Sequence, residues 1–188
     1  MMSVRYQHDQ QDNSHYFVTF TCYQWLPLFQ ITNAYDCVYK WFDSLHKKEI
    51  RVTGYVIMPN HIHVLLYFPE MKQSLNTVIG NAKRFIAYEM IKRLKKEKQY
   101  EILEKLAAGV NNREKKKGQL HKAFEESFEA KECRSAKFIF QKLNYIHRNP
   151  VSGKWQLTKD FVDYPYSSAS FYETGVGIYD KILHVGEV

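Results

Sequence analysis

A histidine–hydrophobe–histidine run is the first part of this sequence that could carry out chemistry. His61-Ile62-His63 follows directly after Pro59-Asn60. Side chains alternate between the two faces of a β-strand, so on a strand both imidazoles point the same way and Ile62 points the other way. Two imidazoles on one face can bind a single metal ion together. The same pattern also fits two histidines that are simply hydrogen-bonded to each other at the start of a strand.

A tyrosine on a predicted helix is the second chemical feature. The helix begins at Ser135 and ends at Asn149, because Pro150 cannot continue it. Its apolar positions form one stripe, and Tyr145 lies away from that stripe by the 3.6-residue period (Ala136, Ile139, Leu143 and Ile146). Tyr145 and Asn149 are one turn apart and share a flank. An ordinary surface tyrosine with Asn149 as a helix cap would give the same pattern.

The two features together predict a phosphoryl-transfer site. A tyrosine hydroxyl has an ordinary pKa near 10 and is a modest nucleophile at neutral pH. A divalent cation held by imidazoles and an amide oxygen could grip and polarise a phosphodiester. Such a mixed set of nitrogen and oxygen ligands suits Mg²⁺ or Mn²⁺. Attack by Tyr145 would form a covalent tyrosine–phosphodiester and release a hydroxyl end, which preserves the bond energy for rejoining.

Three short motifs in this order resemble those of the HUH single-tyrosine transposases of bacterial insertion sequences, and most closely their REP-associated branch. The resemblance covers about residues 14–172. Residues 56–66 are similar to the family's histidine-hydrophobe-histidine strand, and residues 145–151 are similar to its nucleophile helix. Residues 164–168 are similar to a segment that often closes the domain.

The resemblance implies specific roles for four residues. His61 and His63 would be metal ligands and Tyr145 the nucleophile. Asn149 would be the third ligand, where insertion-sequence members more often carry Gln. The family further implies Mg²⁺ dependence, a 5′-phosphotyrosine intermediate and single-stranded or hairpin DNA as substrate. Insertion-sequence members are dimers and the REP-associated branch can act as a monomer, so a homodimer and a monomer both stay open.

The elements that must position these residues predict an α+β fold. Strands are predicted over 16–21, 51–58 and 62–68, and helices over 32–48, 75–98 and 135–149. We expect a short helix and a mobile basic loop over 99–118, and one or two strands within 119–133. This order predicts a ferredoxin-like antiparallel sheet with helices on one face and an added C-terminal nucleophile helix.

Composition favours a polyanionic partner. The chain has 27 basic and 20 acidic residues and a net charge of +7. Lys83, Arg84 and Arg148 lie near the two motifs in sequence, so we expect them to contact DNA. Tyr164 and Tyr166 could stack on bases, although aromatic residues in such a tail more often pack on the core.

Length, hydropathy and cysteine content indicate the domain organisation and the cellular compartment. The 188 residues suit one domain, 1–188, with its core over about 14–172. No run of 18 apolar residues exists, so no membrane span is expected. The three cysteines are far apart and lack a C-x-x-C pair, which favours a reducing cytoplasm over a disulfide framework.

Three hypotheses for the function follow. The main one is a metal-dependent enzyme that cleaves and rejoins single-stranded DNA. The second is a non-catalytic, domesticated protein that only binds hairpin DNA. The third is a zinc hydrolase that uses the two histidines as ligands, although the helical H-E-x-x-H pattern is absent.

Overall fold

A four-stranded antiparallel sheet forms the centre of the fold in the computed structural model, which describes residues 11–188. The first ten residues of the predicted domain lie outside this range. The strand order is β2-β3-β1-β4, as the ferredoxin-like prediction requires. The four strands are β1 (Ser14–Thr21), β2 (Arg51–Ile57), β3 (His61–Phe68) and β4 (Glu129–Cys133).

Helices pack on both faces of this sheet. None of those within residues 11–188 is long and apolar enough to cross a membrane. The α-helices are α1 (Leu28–Thr32), α2 (Tyr35–His46), α3 (Leu75–Lys96), α4 (Tyr100–Ala108), α5 (Asn112–Lys116), α6 (Ala136–Arg148) and α7 (Ala169–Thr174).

The larger core lies between one sheet face and the helices α2 and α3. Side-chain alternation sends Ile62, Val64 and Leu66 of β3 into this core. Helix α3 is capped by the Ser74 hydroxyl, which accepts a hydrogen bond from the Thr77 amide. This face therefore contains the two helices expected of a ferredoxin-like unit.

Helix α6 covers the opposite face, which carries the odd-numbered residues of β3. Leu143 and Ile146 pack there in one cluster with Leu65 and Phe17. The helix can approach closely because Gly54 of β2 has no side chain, since a Cβ at this position would come within 2.6 Å of Leu143 Cδ1. The added C-terminal helix thus lies on the same face as the two histidines.

The structure corrects the predicted basic loop and gives the bounds of two other predicted segments. The helix predicted over 32–48 is α2, and the short helix α1, which was not predicted, precedes it and ends at Asn33 in a left-handed conformation with φ of 48°. Within 99–118, α4 is the predicted short helix, whereas the predicted basic loop contains a further helix, α5. Helix α4 buries Leu103 and Leu106, and α5 begins with a capping box between Asn111 and Glu114. The ambiguous segment 119–133 supplies only the edge strand β4.

Candidate active site

His61 and His63 lie side by side on the sheet face that α6 covers. Both side chains are buried, with 5% of each residue exposed, and their Nε2 atoms are 3.1 Å apart. Strand alternation accounts for the shared direction, as the sequence predicted. Two Nε2 lone pairs at this distance would repel each other, so the arrangement requires a proton or a cation between them.

Each imidazole is oriented by a partner on its other nitrogen. Asn60 Oδ1 lies 2.6 Å from His61 Nδ1, and Thr19 Oγ1 lies 2.7 Å from His63 Nδ1. An amide oxygen only accepts hydrogen bonds, so His61 carries its proton on Nδ1 and its Nε2 can accept a proton or bind a cation. A hydrogen bond on the far nitrogen is the arrangement commonly found behind histidines that bind metals.

Burial keeps both imidazoles neutral at physiological pH. Desolvation lowers the pKa of His61 to about 4, although contact with the Asn149 side chain acts in the opposite direction. Desolvation also lowers the pKa of His63 well below its usual range, and the repulsion that its proton would meet from a protonated His61 and from Lys142 adds to this effect. Neutral imidazole is the form that coordinates a metal ion.

Tyr145 lies directly beside the histidine pair. Its ring centre is 5.1 Å from that of His63 and 6.0 Å from that of Phe17, and half of the residue is exposed. Helix α6 produces this placement because Leu143 and Ile146 dock on the sheet while the flank between them faces outward. One chain therefore brings the predicted nucleophile to the predicted ligands, with access from solvent.

Asn149 follows α6 and supplies an unsatisfied polar atom next to His61. Its Oδ1 is buried and has no hydrogen bond of ordinary geometry. A buried acceptor without a partner costs about 1–3 kcal/mol, so such an atom calls for a ligand or another donor. The cap interpretation of Asn149 does not explain the orphaned oxygen, whereas a bound cation would.

The residues present fit a divalent ion with mixed nitrogen and oxygen ligands. Adjacent ligands of an octahedral ion lie about 3 Å apart when each bond is about 2.1 Å. The 3.1 Å between the two Nε2 atoms matches this separation. Within residues 11–188 no three histidine, cysteine or carboxylate side chains converge. A zinc hydrolase, which needs three such ligands, is therefore poorly supported.

The structure contradicts the predicted contact between Lys83 and DNA, because Lys83 lies away from this site and is buried. It is only 4% exposed, on α3, on the other side of the sheet. Its ammonium donates hydrogen bonds to the carbonyl oxygens of Glu125 and Glu126, the second at 3.0 Å. Burial lowers its pKa to about 8. The side chain anchors the segment before β4, so it cannot reach a phosphate without breaking these bonds.

The other two predicted DNA contacts are exposed but differ in position. Arg148 lies three residues after Tyr145 on α6, where its guanidinium donates to Asn144 Oδ1 and lies over the Phe161 ring. Arg84 is exposed on α3, which packs on the sheet face away from the histidines. Contact of either residue with DNA stays a prediction, and only Arg148 lies on the element that carries Tyr145.

Sequence reasoning missed two side chains that lie against the histidine and tyrosine rings of the site. Thr19 comes from β1, and only the strand register places it opposite His63. Lys142 lies with Nζ 4.7 Å from the Phe17 ring centre and 5.8 Å from that of Tyr145. The helical period could have identified Lys142, since it lies three residues before Tyr145. Nothing in the sequence pairs Thr19 with a histidine 44 residues away.

The fold and this site together define a ferredoxin-like sheet whose histidine strand faces a tyrosine-bearing helix. The same fold occurs in the solved structure of a REP-associated tyrosine transposase bound to a REP hairpin. The two chains are 18% identical and superpose with a TM-score of 0.61, over 97% of this chain and 93% of the other. The resemblance predicted from the motifs is thus confirmed at the level of the fold. The sequence matches no protein-family model and no curated protein.

Proposed function

We propose that this protein is a transposase-type enzyme that cleaves and rejoins single-stranded DNA through a covalent link to Tyr145. The observation that carries the proposal is the 5.1 Å between the ring centres of Tyr145 and His63. A half-exposed phenol beside two neutral, buried imidazoles is an arrangement that a purely structural tyrosine would not require.

The proposed cleavage step is a phosphoryl transfer. Tyr145 Oη attacks the scissile phosphorus, and the bond from phosphorus to the 3′ oxygen breaks. The phenol proton is transferred in the end to the leaving oxygen, which gives a free 3′-hydroxyl and a 5′-phosphotyrosine. Attack by a 3′-hydroxyl on that intermediate reverses the step, rejoins a strand and regenerates the phenol.

His61, His63 and Asn149 would hold Mg²⁺ or Mn²⁺, which when bound would polarise the scissile phosphate and neutralise its charge. The orphaned Oδ1 of Asn149 and the two Nε2 atoms that face each other at 3.1 Å are the atoms available for this role. Asn60 and Thr19 keep both rings in place.

Single-stranded or hairpin DNA is the proposed substrate. The net charge of +7 and the exposed Arg148 beside the site support a polyanionic ligand. The solved structure with the same fold is bound to a REP hairpin. One chain supplies both histidines and the tyrosine, so the proposed reaction works in a monomer and does not depend on a homodimer. All three cysteines are free, which supports the proposed cytoplasmic location.

A covalent-capture experiment tests the proposal. Hairpin oligonucleotides with randomised single-stranded flanks and a label at the 3′ end, the end that a 5′-phosphotyrosine retains, are incubated with protein and Mn²⁺ or Mg²⁺ and then separated on a denaturing protein gel. We expect a labelled protein band that Tyr145→Phe eliminates. Tyr88→Phe is the matched control, since Tyr88 is 66% exposed on α3 and should leave the band unchanged. A band that persists in Tyr145→Phe would overturn the assignment of the nucleophile.

The same experiment separates the enzyme from a domesticated hairpin-binding protein. A shift of the oligonucleotide on a native gel, with neither scission nor adduct in either metal, would identify a binding protein without catalysis. We expect both binding and scission.

A further inference from the structure

Trp25 is an exposed aromatic residue at the edge of the candidate active site. It is 60% exposed, and its ring centre lies 5.8 Å from that of His61 with the planes at 70°. A second tryptophan, Trp155, lies 6.2 Å from the same imidazole. Single exposed apolar residues are common on protein surfaces, but this one contacts a predicted metal ligand.

The backbone at Trp25 is strained. Trp25 has φ of 57° and the preceding Gln24 has φ of 50°, both in the left-handed region. Bulky residues rarely adopt this conformation, and where they do the surroundings must hold them in it. Such strain tends to be retained where a side chain must be presented in one particular direction.

Hydrogen bonds link this strained turn to the histidines. The Trp25 amide donates to the Cys22 carbonyl, and Asn60 Nδ2 donates to the Trp25 carbonyl, both at 3.1 Å. Asn60 also holds His61 through its Oδ1. One amide side chain therefore fixes both the indole-bearing turn and the imidazole, so the ring is placed relative to the site before any ligand arrives.

The tyrosines that the sequence offered for base stacking are occupied elsewhere. Tyr164 is buried and donates to the Ile57 carbonyl, while Tyr166 stacks on Tyr35 with ring centres 3.5 Å apart. Both pack against the protein interior. Near Trp155, by contrast, the Lys154 ammonium lies 5.7 Å from the indole centre, which adds positive charge beside the second ring.

We propose that Trp25 stacks on a nucleobase next to the scissile phosphate, with Trp155 and Lys154 forming the adjoining part of the same binding surface. An exposed indole stacks on any base through the π-face, so this contact selects for an unpaired nucleotide and not for a particular sequence. Fixing one base beside His61 also restricts the position of the neighbouring phosphate. The inference rests on the proposed function for its ligand, single-stranded DNA.

An abasic scan tests the stacking independently of chemistry. Dissociation constants are measured by fluorescence anisotropy with the Tyr145→Phe protein, which binds without cleaving, and with hairpins that carry one abasic nucleotide at successive flank positions. We expect Trp25→Ala to weaken binding on the order of 10-fold. At one position beside the scissile phosphate, the abasic substitution should cause the same loss of affinity. Combined with Trp25→Ala, it should cause no further loss. Additive losses at every position, or no loss in Trp25→Ala, would overturn the inference.

Matched variants guard against a folding artefact. Tyr88→Ala removes an equally exposed ring on α3 and should leave affinity unchanged. Trp25→Phe keeps a ring and should restore most of the affinity lost in Trp25→Ala. If Trp25→Phe binds as weakly as Trp25→Ala, the ring does not stack and the proposal fails.

Intrinsic fluorescence gives a second readout. The chain has three tryptophans, of which Trp41 is 7% exposed in the core and acts as an internal reference. We expect flank oligonucleotides to quench wild-type emission and Trp25→Phe to lose most of that quenching; undiminished quenching would contradict the stacking. Quenching together with non-additive losses in the abasic scan, but no covalent adduct, would refute the proposed cleavage and support the stacking site. A covalent adduct with purely additive losses would refute the stacking site and support the proposed cleavage.

Discussion

Thr19 and His63 face each other across the β1–β3 pair, with Thr19 Oγ1 2.7 Å from His63 Nδ1. This bond fixes the plane of the imidazole and directs its Nε2 toward His61, 3.1 Å away. A hydroxyl on one strand therefore determines the direction in which a ligand on the next strand can act. The relationship exists only in the assembled sheet.

We expect Thr19→Val to weaken Mn²⁺ binding by about 10- to 100-fold, because removal of a group that orients a ligand typically costs that much affinity. Isothermal titration with Mn²⁺ measures the effect, and thermal unfolding checks the fold. Ser14→Ala is the control, since it removes a hydroxyl from the far end of the same strand. Equal affinity in wild type and Thr19→Val would show that the bond does not orient a ligand.

Replacing either imidazole should eliminate metal-dependent scission. His61→Ala and His63→Ala each remove one of two buried nitrogens that face the same point, so we expect cleavage to fall below detection while DNA binding persists. His46→Ala, at an exposed position at the end of α2, is the control. Cleavage that stays metal-dependent at the wild-type rate without the histidines would rule out this metal site.

Lys83 and Arg84 are adjacent in the chain and should behave oppositely. Lys83→Met leaves the Glu125 and Glu126 carbonyls without their donor, so we expect the free energy of unfolding to fall by about 2–3 kcal/mol. Arg84→Met alters an exposed side chain and should change stability by less than about 0.5 kcal/mol. Urea unfolding measures both. A fully stable Lys83→Met protein would contradict the anchoring role.

Arg148 should contribute to DNA affinity through a phosphate contact. We expect Arg148→Ala to weaken hairpin binding similarly for all sequences and to reduce the slope of log affinity against log salt by about one. Arg84→Ala is the comparison, because Arg84 lies on the helix that covers the opposite sheet face. If Arg84→Ala reduced the slope and Arg148→Ala did not, the DNA path would run over α3 and not over α6.

His15 should make stability depend on pH. It is buried with Nε2 unpaired, and desolvation lowers its pKa from 6.5 to about 4. The unfolded chain therefore binds a proton more readily, so this contribution to stability is complete above pH 6.5 and is lost as the pH falls toward 4. When the pH falls from 7 to 5, we expect the free energy of unfolding of His15→Phe to decrease by about 2 kcal/mol less than that of wild type, as measured by urea unfolding. Identical pH dependence in both proteins would show that His15 is not buried in neutral form.

Local periodicity determined the parts of the candidate site that could be predicted from the sequence. The two-residue period of a strand put His61 and His63 on one face, and the 3.6-residue period of a helix put Tyr145 off the apolar stripe of α6. The order of elements similarly indicated the ferredoxin-like sheet. These inferences hold because each depends on residues only a few positions apart.

Only the tertiary structure decided which of these features meet and which side chains serve them. The strand register paired Thr19 with His63, and close packing at Gly54 brought Tyr145 over the sheet. Lys83, basic and apparently suited to DNA, is instead buried against two carbonyls. Trp25 reaches His61 through a turn that Asn60 holds from the connection between β2 and β3. Such contacts join residues tens of positions apart, where packing and hydrogen bonding outweigh any preference of the local sequence.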